Sequence, residues 1–141
     1  MSYDPNNIFA KIVRGEIPSH KVYEDEHSFA FLDIMPAAEG HTLVVPKEGI
    51  ENIFEVSPEG LAVLIQATQK VARAVKKAVN APGIVITQFN GAPAGQTVFH
   101  IHFHIIPRAE GQPLQLHGRA HEKPEKLAAV AEKVRAAIAS N

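Results

Sequence analysis

Three of the eight histidines stand at alternate positions, His100, His102 and His104, with Ile101 and Phe103 between them and Phe99 and Ile105 outside. Period two is the signature of an extended strand, whose successive side chains point to opposite faces. The spacing therefore predicts three imidazoles on one sheet face and an apolar row on the other. Three kinds of chemistry compete for such a row. It can be partly exposed histidines on an amphipathic strand. It can be a metal site, since His-x-His suits zinc. The outer pair is then roughly 13 Å apart along the strand, too far to share one ion easily. With no cysteine in the chain, further ligands would have to come from elsewhere. The third reading is a neutral imidazole acting as nucleophile, oriented and polarised by its neighbours.

The segment just before the histidines favours the third reading. Asn90-Gly91-Ala92-Pro93-Ala94-Gly95-Gln96-Thr97 offers backbone N–H groups, an amide and a hydroxyl. Its small residues allow the backbone to approach an anion closely. On its own such a loop is a plain turn; joined directly to a histidine strand, it is a candidate phosphate cradle.

The elements that must position these residues follow from patterning. Asp4-Pro5 reads as an N-cap with proline at the first helical position, and Gly15 as a stop; Ile8, Phe9, Ile12 and Val13 between them recur at helical spacing. Val22–Asp25 and Ser28–Ile34 read as a hairpin, and Thr42–Val45 as a third strand closed by Pro46. The strongest helix runs from the cap Ser57, through Pro58 and Glu59, towards Asn80. Leu61, Leu64, Ile65, Thr68, Val71, Ala72, Val75 and Val79 form its apolar stripe. Ile84–Asn90 and Val98–Ile106 read as the fourth and fifth strands, the latter ended by Pro107. A last helix carries Leu127, Val130, Ala131, Val134 and Ile138. Helix, strands, helix, strands, helix predicts an α+β fold: a five-stranded antiparallel sheet, two main helices and a short N-terminal helix. No linker or repeat interrupts it, so residues 1–141 are expected to form one domain.

Composition bounds the rest. With 45% apolar and 21% charged residues the chain reads as a soluble globular protein. A net charge of −1 gives no footprint for a nucleic-acid partner. No apolar run approaches the ~20 residues of a membrane span. Met1-Ser2-Tyr3-Asp4-Pro5-Asn6 has neither the basic nor the apolar part of a secretory leader. Without cysteines a reducing, cytoplasmic setting is expected.

His100-Ile101-His102-Phe103-His104-Ile105-Ile106 resembles the defining motif of the histidine-triad family, and the likeness extends over nearly the whole chain. Ile8-Phe9, Ile12 and Gly15-Glu16-Ile17-Pro18 resemble that family's opening. Phe31-Leu32-Asp33-Ile34 and Gly40-His41-Thr42-Leu43-Val44-Val45-Pro46-Lys47 resemble its middle, and Ala94-Gly95-Gln96-Thr97-Val98 its phosphate loop.

The resemblance implies a cytoplasmic homodimer with two joined sheets, acting without a cofactor as a hydrolase on purine nucleotide conjugates of AMP or GMP. His102 would attack the α-phosphorus and form a nucleotidyl-histidine intermediate, with His100 and His104 orienting it and contacting phosphate oxygens. Gly95, Gln96 and Thr97 would bind the phosphate, Thr97 giving a proton to the leaving group. Asp33 would accept from the ribose hydroxyls, Asn90 would face the nucleotide, and Ile8, Phe9, Ile12, Phe31 and Ile34 would form the base slot. His41 is expected to pack near the triad as a structural residue, and His20, His27, His117 and His121 to lie on the surface.

The branch implied first is the nucleoside phosphoramidase type. A dinucleoside polyphosphate hydrolase of the same family, and a nucleotide-binding regulatory module without turnover, are the alternatives. One departure stands out. Many bacterial relatives carry Cys-x-x-Cys where this chain has Asn7-Ile8-Phe9-Ala10; those cysteines bind zinc, and Asn7 and Ala10 cannot replace thiolates. No metal is expected.

Overall fold

The computed structural model describes residues 3–140, so the leader reading at Met1 and Ser2 concerns residues outside it. The elements in chain order are α1 (Ile8–Val13), β1 (Lys21–Glu24), β2 (Ser28–Leu32), β3 (Thr42–Pro46), α2 (Pro58–Ala78), β4 (Gly83–Thr87), β5 (Phe103–Arg108) and α3 (Pro124–Ala139). The five strands form one sheet in the order β1-β2-β3-β5-β4, with every neighbouring pair antiparallel. This is the α+β architecture that the patterning predicts.

Alternation along the central strands sorts side chains onto two layers. Ala30, Leu32, Val44, Phe103 and Ile105 join Leu64, Val71 and Val75 of α2 and Leu127, Val130 and Val134 of α3 in the main core. Phe29, Phe31, Leu43 and Val45 face the other way and pack with Phe9 and Ile12 of α1. Central strands covered on both faces lose the polar rows that an exposed face would carry. Register then places the chemistry. Leu43 lies opposite His104 and also opposite Phe31, so His104 shares the α1 face and not the helix core.

The caps explain the helix bounds. The Ser57 side chain accepts from Gly60 N at 2.9 Å, and Pro58 takes the first turn of α2, as expected. The cap of α1 is Asn7, whose Oδ1 accepts from Ala10 N at 2.9 Å, and not Asp4. Asp4 is used earlier, accepting from Asn6 N in a local turn that holds Pro5 outside the helix. Gly15, at φ +79°, supplies the left-handed residue just beyond the helix.

Strand limits differ from the sequence reading most in β2, β4 and β5. β2 stops at Leu32 and β4 at Thr87, ahead of Ile34 and Asn90. β5 begins only at Phe103, so His100 and His102 precede the ladder, and it continues through Pro107 to Arg108. Pro107 is tolerated because this end of β5 lies beyond β3 and has only β4 beside it.

Candidate active site

α1, β2, the start of β5 and two loops enclose a cavity of about 570 Å³. Ile8, Phe9, Ile12, Phe31 and Ile34 form its apolar wall, with Asp33, Gly95, Thr97, His102 and His104 also reaching it. Ile8 and Ile34 are 45% and 48% exposed, whereas Phe9, Ile12 and Phe31 are buried and serve the core as well. The Phe9 ring stands edge-on to His102, with centroids 4.8 Å apart.

Hydrogen bonds assign the tautomers of the buried histidines. The Ala37 amide donates to His41 Nδ1 at 2.9 Å, so in neutral His41 the proton is on Nε2. That Nε2–H donates to His104 Nδ1 at 3.0 Å. The His104 proton therefore sits on Nε2, a buried atom without a partner among the described residues. His102 Nδ1 donates to the His100 carbonyl at 2.8 Å, which leaves the Nε2 lone pair of His102 bare. The His102 and His104 rings are 4.9 Å apart. Neighbouring rings thus carry a bare nitrogen lone pair, on His102, and an N–H without a partner among the described residues, on His104.

Burial keeps these rings neutral. It pushes His102 down to about 4, against the raising effect of the bond to the His100 carbonyl. His104 falls to about 3 and His41 to about 4, first by burial and then by neighbouring histidines. His100 is lowered too, chiefly by burial. Asp33 is half-buried, its Oδ1 accepts from Met35 N at 2.9 Å, and burial pushes its carboxyl above the usual range.

Other expected site residues sit elsewhere. His100 is outside the cavity, with its Nε2 donating to Pro46 O at 2.8 Å. Asn90 is outside as well: its Oδ1 accepts from Ile53 N at 2.9 Å and its Nδ2 donates to Gln88. Gln96 is buried and its amide is fully engaged, accepting from Gly91 N within the loop and donating to the carbonyls of Glu51 and Val98. The amides of Ala94, Gly95 and Gln96 likewise close onto Gly91 and Ala92. Gln96 therefore shapes the loop, and the donors at its exit, around Thr97, are the ones that border the cavity. His27 and His121 are exposed and His20 is half-buried.

The sequence reading missed His117. It is exposed, yet it lines the cavity mouth, stacks on Phe89 at 5.2 Å and stands edge-on to His104 at 6.0 Å. Gly118 fixes this crossing, because a Cβ there would overlap the Met35 carbonyl. No local pattern marks it; only the fold brings residue 117 back over the loop after β2.

The donors do not suit a zinc site in the position of the bacterial cysteines. Ala10 has no ligand atom, the Asn7 side chain caps α1, and the Nε2 of His100 is engaged with Pro46. Asp33, His41 and His104 do approach one another, with ligand atoms within 4.8 Å. In that trio the two facing nitrogens are joined by a proton, which takes the place a cation would need.

Comparison with known proteins agrees with this fold. A HIT-like protein of Bartonella henselae, described as involved in cell-cycle regulation and solved with an unknown ligand, is 54% identical. It superimposes with a TM-score of 0.90, covering 96% of this chain and 99% of that one. A hypothetical histidine triad nucleotide-binding protein of Sulfolobus tokodaii is 35% identical, with a TM-score of 0.87 and coverage of 94% and 91%. The adenylylsulfatase HINT3 of Arabidopsis thaliana is 39% identical over 103 residues, which are 73% of this chain and 52% of that protein. Residues 14–111 match the family model for the HIT domain, and the chain belongs to that family of nucleotide-binding proteins and hydrolases.

Proposed function

We propose that this protein cleaves purine nucleoside phosphoramidates at the α-phosphate through a covalent nucleotidyl-His102 intermediate. The observation that carries the reading is the pairing of the bare His102 Nε2 with the free N–H of His104. The purine lies in the slot of Ile8, Phe9, Ile12, Phe31 and Ile34, and the ribose hydroxyls donate to Asp33.

His102 Nε2 forms a bond to phosphorus as the P–N bond to the amine breaks. No base is required, because the attacking imidazole is already neutral. The ring becomes cationic on attack, and its Nδ1–H keeps its bond to the His100 carbonyl. The His104 N–H donates to a non-bridging oxygen, on which charge builds in the transition state. The amine leaves with a proton drawn from solvent and relayed through the Thr97 hydroxyl. Water then attacks phosphorus as the P–N bond to His102 breaks; the bonding pair returns to Nε2, which restores the neutral imidazole, and the water's proton passes to solvent.

The working unit is proposed to be a homodimer in the cytoplasm. β4 is an edge strand, and Ile86 upon it is exposed, as is Ile65 on α2. An apolar edge of this kind is protected when a second copy pairs with it. Residues 1–141 are read as one domain, consistent with a single sheet to which both helix layers attach.

A panel of an adenosine phosphoramidate, its guanosine counterpart and diadenosine polyphosphate, assayed for AMP or GMP release, tests the reading. The phosphoramidates are expected to be cleaved faster. A polyphosphate that wins outright overturns the branch assignment, and no release from any of them overturns the hydrolase. Thr97→Val adds a sharper arm. An amine is a poor leaving group unless protonated, and general acid help is worth about 10²–10⁴-fold. The variant should lose phosphoramidate turnover on that scale, and far less with a leaving group that departs unprotonated. Equal losses would make Thr97 only a phosphate ligand.

A further inference from the structure

The carbonyl that orients His102 lies outside the sheet. β5 starts at Phe103, so no ladder bond fixes the backbone at residue 100, and the adjoining anchor is Ile101 N donating to Ile50 O at 2.8 Å. Yet a carbonyl that sets a nucleophile's tautomer must hold its place closely. The His100 side chain supplies the second anchor, because it is tied at both nitrogens.

His100 Nε2 donates to Pro46 O at 2.8 Å, so its Nδ1 can only accept. The Tyr3 hydroxyl lies 2.6 Å from that Nδ1 and is its donor. The Tyr3 oxygen in turn accepts from Asn7 Nδ2 at 2.8 Å. Asn7 is the cap of α1, with its Oδ1 committed to Ala10 N. α1 carries Ile8, Phe9 and Ile12 of the cavity wall. The Tyr3 ring also meets the His100 ring edge-on at 5.7 Å. Its seat excludes any side chain at residue 49, where a Cβ would come within 2.5 Å of the ring.

We infer that Tyr3 and Asn7 are positioning residues for the nucleophile: they clip His100 to the cap of α1, and so hold both the carbonyl that orients His102 and the wall that receives the base. The inference rests on the assignment of His102 as nucleophile for its kinetic consequence, but not for its structural one. Neither residue touches substrate. Both act through His100.

The test compares Tyr3→Phe with Asn7→Asp in the full-length protein. Tyr3→Phe keeps the ring and removes the donor to His100 Nδ1. Asn7→Asp still caps α1, because a carboxylate accepts from Ala10 N. It cannot donate to Tyr3, and it draws the Tyr3 hydroxyl proton away from His100. Two quantities are read: kcat with the phosphoramidate, and exchange of the His102 Nδ1–H proton followed by NMR. In both variants kcat should fall about tenfold, the scale of a small misplacement at a reacting centre, and the Nδ1–H should exchange faster. A merely structural clip lowers the melting temperature and leaves both readouts at wild-type values; that result overturns the inference. Should Tyr3→Phe fail to fold, Asn7→Asp decides, since its helix cap is intact. If the wild type shows no turnover, the proposed function fails, and the exchange measurement still decides the clip.

Discussion

His102→Ala is expected to abolish turnover while nucleotide binding survives. The substitution removes the nitrogen proposed to bond to phosphorus, and neither of the other two triad histidines can replace it. His104 carries its proton on Nε2, and its other nitrogen accepts from His41. His100 uses one nitrogen on Pro46 and lies outside the cavity. Loss of a covalent nucleophile costs on the order of 10⁴-fold or more in kcat. In the proposed mode, binding depends on other groups, namely the apolar slot and Asp33, which the substitution leaves in place. The fold loses one hydrogen bond to the His100 carbonyl, about 1 kcal/mol, and should persist. Steady-state release and calorimetric titration with AMP separate the two effects. Substantial turnover in His102→Ala, with His100→Ala worse, would move the nucleophile.

Acid should unfold this protein between pH 6.5 and 4, well before its carboxylates would do so. In the unfolded chain the imidazoles titrate near pH 6.5. In the fold, His41 and His102 are held at about 4 and His104 at about 3, chiefly by burial. Between these limits the unfolded chain binds more protons than the native one, so stability falls as pH falls. Above pH 7 both states are neutral at these sites, and the effect vanishes. A shift from 6.5 to about 4 corresponds to about 3 kcal/mol, a large share of a domain's whole stability. Asp33 works the other way: with its pKa raised, the native carboxyl takes up a proton more readily and offsets part of the loss in the carboxylate range. The melting temperature should be level from pH 8 to 7 and drop steeply below 6.5, with about three protons taken up on unfolding. A level profile down to pH 4.5 would show that the rings are charged or solvated in the fold.

What was legible in the sequence is what periodicity and side-chain chemistry encode. Alternation marked the region of β5, and the stripe from Leu61 to Val79 marked α2. The cap at Ser57 was legible because a serine followed by proline has few other uses. The Asp4-Pro5 cap misled, because two candidate acceptors stand three residues apart and the nearer turn took the first. β5 was read too early, at Val98, since strand-like composition does not say where a partner strand begins. Gln96 and Asn90 looked like ligands because an amide suits a phosphate or a sugar as well as a loop carbonyl. Both are spent on tying their loop to the segment at Glu51 and Ile53. The tautomers of His41, His102 and His104 depend on Ala37 and His100 main-chain atoms, which no residue pattern reports. His117 reaches the cavity only because Gly118 lets the chain cross Met35.

The covalent intermediate is the claim on which the rest depends, and rapid acid-free quenching followed by peptide mass spectrometry tests it most directly. Mixed with an adenosine phosphoramidate and quenched within one turnover, the wild-type protein should yield a His102-containing peptide heavier by one adenylyl group. His102→Ala should yield none. Product release in the wild type with no adenylylated peptide at any time, or with the label on His100 or His104, would contradict the account.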